Sequence, residues 1–281
     1  MQPPYEMPPG SPPPPKKGIL QTIGGWFVAG TVAVIKFKFL IFAALKTSLS
    51  MLIAIGAYTL LFGWKFAVGI VIMIFLHEMG HVIASLWCGV RVTGMMFVPF
   101  VGAYTTRSGR AKDAYTDAII AYGGPLLGFL VSWICLVVGV RLQSDLIIAV
   151  ASIGFLLNLF NLIPVPPLDG GSICAAISRS FWIVGLILLG ASLFYFHNWL
   201  SSMIIIVIIV FATLPMMRAS FFVEPTEEMQ AYYNTHISNR VTMAILYVGL
   251  IALLLLGYVD SSNRLSHLTP DTEETSSSDS Q

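Results

Sequence analysis

Between Lys65 and Arg91 the chain carries no lysine, arginine or aspartate, and its only histidine or carboxylate side chains are His77, Glu78 and His81. The rest of the stretch is apolar or small. Its length matches the roughly 20 residues a helix needs to cross a bilayer. Lipid offers backbone groups no water, so such a segment must satisfy its own N–H and C=O groups, and a helix does so. Further apolar runs cover Leu40 to Phe62, Asp113 to Val140 (whose inner part Gly123-Gly124-Pro125 is expected to break, letting another backbone come close), Leu146 to about Pro166, Phe181 to Phe196, Leu200 to Pro215 and Val241 to Val259. The chain is therefore predicted to be an all-α polytopic membrane protein with about seven transmembrane helices.

Composition agrees. Of 281 residues, 56% are hydrophobic and 10% charged, against about 25% charged in ordinary soluble domains. A net charge of +1 gives no reason to expect nucleic acid as a partner. Cys88, Cys135 and Cys174 lie in or beside apolar segments without C-x-x-C spacing, which argues against a disulfide framework or a cysteine-rich zinc site.

The flanks set the expected domain plan. Residues 1–17 hold Pro3, Pro4, Pro8, Pro9 and Pro12 to Pro15 and read as a disordered or polyproline II tail without a signal-peptide core. Residues 18–39 contain an apolar, glycine-rich stretch with lysines at both ends, which favours a helix lying in the interface over a simple span. Residues 40–180 form the expected membrane core. Residues 181–259 add further membrane helices and a polar cytosolic loop at 218–240, and residues 260–281 read as a disordered polar tail.

Orientation follows from the basic residues. Lys36, Lys38 and Lys46 lie around the start of the first span, and Arg91, Arg107, Arg110 and Lys112 follow the second. The positive-inside rule puts both ends in the cytosol, so the His77–His81 run is expected in the cytosolic half of its helix. Val92 to Arg110 is too short and too interrupted by Gly94, Pro99 and Gly102 to span. It reads as one or two short strands at membrane level, able to offer an edge to an extended peptide.

Phe75-Leu76-His77-Glu78-Met79-Gly80-His81 contains the pattern H-E-x-x-H. On a helix, residues four apart lie one above the other, so both imidazoles can reach one ion, with Glu78 beside it. The pattern is that of two zinc-binding histidines and a glutamate general base. A charged side chain at the centre of a membrane helix costs about 2.5–3.5 kcal/mol even on insertion scales, so its presence argues for a use. The bland alternative is a pair of packed, hydrogen-bonded histidines.

A catalytic zinc takes three protein ligands and leaves a fourth position for water. Carboxylates are scarce in the apolar part of the chain, and apart from Glu78 the candidate is Asp169. The span before it begins outside, so Asp169 arrives at the cytosolic side, at the depth expected for His77 and His81. Its other reading is a turn residue, as Asp-Gly often is.

The two segments together resemble the site-2 protease family (intramembrane zinc metalloproteases, peptidase family M50), in a compact form without a PDZ or CBS domain. That family pairs H-E-x-x-H on one span with N-x-x-P-x-x-x-L-D-G on a later one. Here these are His77 to His81, and Asn161 through Pro164 to Leu168-Asp169-Gly170. Gly124-Pro125 resembles the family's G-P pair; an asparagine often follows that pair, where Gly128 stands nearby here. The resemblance implies one Zn2+ per chain held by His77, His81 and Asp169, with Glu78 as catalytic base and Asn161 helping to position substrate or the oxyanion. It implies an intramembrane endopeptidase acting on single-span proteins within the bilayer. The competing readings are a metal transporter or an inactive scaffold, disfavoured because the polar residues converge at one depth and no site residue is missing. A prenyl-protein peptidase is disfavoured because Glu224, Glu227 and Glu228 lie in a polar stretch.

Overall fold

The computed structural model describes residues 45–100, 102–195 and 226–266, with 210, 213–215, 217, 218 and 224. The expected tail at 1–17, the interfacial helix at 18–39, most of Leu200 to Pro215 and the tail beyond 266 lie outside the described residues. From Lys46 onward the described residues belong to one unit.

Helix α1 covers Leu45–Phe62. Gly63, with φ of +78°, separates it from α2 at Trp64–Trp87. Strands β1 (Arg91–Val98) and β2 (Gly102–Ser108) form an antiparallel hairpin. Then come α3 (Ala114–Arg141), α4 (Asp145–Asn161), α5 (Asp169–Ile177), α6 (Phe181–Tyr195), α7 (Glu227–Tyr233) and α8 (Ile237–Leu265). Four of these, α1, α2, α3 and α8, are long and apolar enough to cross a membrane. The chain is an integral membrane protein with mostly helical structure.

Several boundaries differ from the sequence reading. Gly123-Gly124-Pro125 does not break its span: α3 runs through it, with Pro125 inside the helix. One proline removes a single backbone bond, and neighbouring helices hold the segment in place. The fourth apolar run yields a 17-residue α4 that stops at Asn161, short of Pro166, and α6 has 15 residues. The polar stretch 218–240 contains α7, capped by Thr226, whose hydroxyl accepts from the Met229 N–H. The last helix continues past Val259, so Asp260 to Leu265 are helical and not part of a tail. Asp260 and Arg264, one turn apart, pair at 3.1 Å, a stabilising spacing on a helix, and Ser261 is buried.

Between apolar helices in lipid there is no hydrophobic driving force, and close packing of small residues takes its place. Here α2 crosses α3 at Gly80, Gly123 and Gly124. A Cβ on Gly80 would overlap the Gly123 backbone, and one on Gly124 would overlap the His81 ring. On the other side of α3, the core joins α3, α4, α5 and α8 through Leu136, Ile148, Phe155, Leu162, Ile173, Met243, Leu250 and Leu254.

The segment between α4 and α5 has no regular structure, and its carbonyls are taken up by side chains from elsewhere. Tyr247 donates to the Leu162 carbonyl at 2.5 Å and Thr213 to Pro166, while in the first turn of α5 the Gly171 carbonyl accepts from Trp182 at 2.9 Å. Irregular backbone at this depth requires such partners. Gly170 and Gly171 let α5 start hard against this turn, since a Cβ on either would overlap its backbone. The result delivers Asp169, the first residue of α5, toward α2.

Candidate metal centre

His77 and His81 project from one face of α2, and their Nε2 atoms lie 3.1 Å apart. Asp169 Oδ2 lies 3.2 Å from His77 Nε2 and 3.3 Å from His81 Nε2. His77 and Glu78 are buried; His81 and Asp169 side chains are 12% and 17% exposed.

The other nitrogen of each ring is spoken for. His81 Nδ1 lies 2.9 Å from the Ile120 carbonyl oxygen, which only accepts, so this nitrogen carries the hydrogen. His77 Nδ1 lies 2.8 Å from Asn158 Oδ1. Asn158 Nδ2 donates to the Gly154 carbonyl at 2.7 Å, so its oxygen is the atom facing the ring and His77 Nδ1 donates to it. Both Nε2 lone pairs then point at each other and at a carboxylate oxygen. Three electron-rich atoms within 3.3 Å of one another repel unless a cation joins them. Zinc bonds of about 2.0–2.1 Å arranged as a tetrahedron set ligand separations of about 3.3–3.4 Å, close to the triangle seen here. Asp169 Oδ2 is buried without a hydrogen-bond partner, as an atom kept for a metal would be. The donor set therefore fits a zinc ion.

Glu78 lies beside this triangle, and its ligand atom belongs with those of His77 and His81 in a cluster spanning less than 4.8 Å. Its Oε2 accepts from the Thr105 hydroxyl at 2.7 Å. The hairpin is thereby tied to α2, and the Arg107–Asp117 pair at 2.8 Å ties it to α3.

Asn161, expected near substrate, donates through Nδ2 to the Leu157 carbonyl at 3.0 Å, one turn back on its own helix. The asparagine that meets the centre is Asn158. Its signal in the sequence is a second amide in an apolar helix, one turn before Asn161. Thr105 left no such signal, because strand register cannot be read from Val92 to Arg110. Cys88, Cys135 and Cys174 are all free thiols.

The hairpin has one covered edge. Thr47 of α1 donates to the Met95 carbonyl at 2.8 Å, and Ser50 accepts from the Phe97 N–H at 3.2 Å. Met95 and Phe97 thus turn their backbone groups away from β2. Their partners across the ladder are Thr105 and Ala103. In an antiparallel pair both members of such a position point outward, so the backbone groups of Ala103 and Thr105 line the outer edge of β2. Among the described residues no strand pairs with that edge.

The chain is similar to known proteins over part of its length. Residues 65–149 match the model of peptidase family M50. The chain is 30% identical over 164 residues to the putative zinc metalloprotease Rip3 of Mycobacterium tuberculosis, covering 53% of this chain and 42% of that protein. It is 28% identical over 111 residues to the zinc metalloprotease MJ0392 of Methanocaldococcus jannaschii, covering 38% and 32% respectively. The chain thus spans less than half the length of these relatives.

Proposed function

We propose that the chain is a member of peptidase family M50, the site-2 protease family, and an intramembrane zinc metalloendopeptidase that cleaves single-span membrane proteins. The observation that carries this is the approach of His77 Nε2, His81 Nε2 and Asp169 Oδ2 to within 3.3 Å, with both Nδ1 atoms already bonded. In this reading His77, His81 and Asp169 hold one Zn2+. When bound, zinc supplies a Lewis acid and lowers the pKa of water to about 7.

The protein's own groups do the rest. Glu78 takes the proton of the attacking water and delivers it to the leaving amine nitrogen. The Thr105 hydroxyl holds the Glu78 carboxylate by one oxygen, leaving the other for that proton. Asn161 spends one N–H on the Leu157 carbonyl; a primary amide has two, and the second serves the developing oxyanion. A helical substrate must first unwind, because its carbonyls are engaged within the helix. The outer edge of β2, at Ala103 and Thr105, takes the unwound segment by strand addition and brings it beside Glu78.

The proposed frame is seven spans, with the active site toward the cytosol. Its catalytic core covers residues 40–180, and further helices cover 181–259. The test is cleavage of a single-span reporter by purified protein in detergent, with zinc measured in parallel. Zinc near one per chain and cleavage blocked by a chelator are expected. Bound zinc without cleavage of any single-span reporter would favour a transporter or scaffold.

A further inference from the structure

We propose that Asn158 is the positioning residue of the metal centre, and that Gly128 is kept small to admit it; this rests on the zinc reading above. Asn158 sits in α4 and is 3% exposed. Burying an amide in an apolar helix costs free energy unless each polar atom is paired. Here Nδ2 bonds to the Gly154 carbonyl at 2.7 Å and Oδ1 bonds to His77 Nδ1 at 2.8 Å. If the amide served only its own helix, the Gly154 bond would suffice and its oxygen would be left buried and unpaired. It is aimed at the imidazole instead.

The helix crossing is shaped to allow this. A Cβ on Gly128 of α3 would overlap Oδ1, Nδ2 and Cγ of Asn158. Ser132, one turn further along α3, donates to the Gly128 carbonyl at 2.7 Å. A Cβ on Gly154 would in turn press on the Ser132 hydroxyl. Gly128, Ser132 and Gly154 thus form a slot between α3 and α4 that holds one amide group. The slot fixes which atom of Asn158 faces α2, and hence which nitrogen of His77 carries hydrogen. With Nδ1 donating to Asn158, Nε2 presents its lone pair toward Asp169 and His81. An outer partner of this kind orients a ligand and raises its basicity, and losing it commonly weakens metal binding 10–100-fold.

The measurement is zinc affinity by chelator competition on the full chain in detergent. Wild type is compared with Asn158→Leu, which fills the slot with apolar atoms, and Asn158→Asp, which keeps an acceptor for His77. Asn158→Leu is expected to bind zinc at least about 10-fold more weakly while its apo melting temperature holds. Asn158→Asp is expected to restore binding to within a few-fold. If the leucine variant fails to fold, Asn158→Ala takes its place. Nitrogen-15 NMR of the apo protein is expected to show His77 hydrogen-bearing at Nδ1, and a shift of tautomer in the leucine variant. Equal zinc affinity in wild type and Asn158→Leu, or an aspartate variant as weak as the leucine one, overturns the inference and leaves the metal centre standing. A wild-type chain that binds no zinc overturns both.

Discussion

Thr105 donates its hydroxyl hydrogen to Glu78 Oε2 at 2.7 Å, so a strand residue holds the carboxylate of a helix residue 27 positions away. The hairpin proposed to take the substrate and the group that would move the proton are mechanically one piece. Thr105→Val keeps the shape and removes the donor. Hydrogen bonds to charged groups contribute about 1.5–3 kcal/mol, so the turnover of a reporter is expected to fall about 10-fold or more. Zinc content should stay at the wild-type level; a variant with unaltered turnover would show the bond to be incidental.

Glu78→Gln tests the base. The amide is nearly the same size and keeps an acceptor for Thr105, so fold and metal binding should persist. Positioned general bases contribute about 10²–10⁴-fold, and cleavage is expected to drop by at least that factor. Quantified cleavage by gel, with zinc by elemental analysis, checks it.

Asp169→Ala removes the carboxylate oxygen that lies 3.2 and 3.3 Å from the two rings. Two histidines alone make a weak site, so zinc is expected to be lost from purified protein. Full stoichiometry in this variant would point to a different third ligand.

Ala103→Pro addresses the open edge. The Ala103 N–H points away from β1, so proline there takes no bond from the hairpin, although a proline at a ladder position would. Binding of an extended peptide loses one donor. Higher KM with unchanged zinc and an unchanged melting temperature is the expected outcome. A normal KM would move the substrate elsewhere.

Gly80→Ala tests the crossing of α2 and α3. Its Cβ would meet the Gly123 backbone, which has no side chain to swing aside. Overpacking of this kind costs about 1–3 kcal/mol. A lower melting temperature is expected, together with weaker zinc binding, because the shift acts on the helix that carries both histidines.

His77, Glu78, His81 and Asp169 were each legible as chemistry, because polar groups stand out where nearly every neighbour is apolar. Gly123-Gly124-Pro125 misled as a break. Glycine and proline lower local helix preference, but packing against Gly80 and His81 holds α3 continuous through them. Asp260 to Leu265 misled as tail, since composition does not register the Asp260–Arg264 pair or the burial of Ser261.

What the sequence alone determined is the solvent and the candidate chemistry. Apolar runs of membrane-spanning length leave helices as the way to satisfy a backbone in lipid, and H-E-x-x-H with a later Asp-Gly singles out the candidate donors. What tertiary structure decided is which atoms face which. Asn158 rather than Asn161 meets His77, Thr105 meets Glu78, and, among the described residues, β2 rather than β1 keeps an open edge. Those pairings depend on where glycines let helices touch and on strand register, and both are set by contacts between residues far apart in the chain, which no local pattern records.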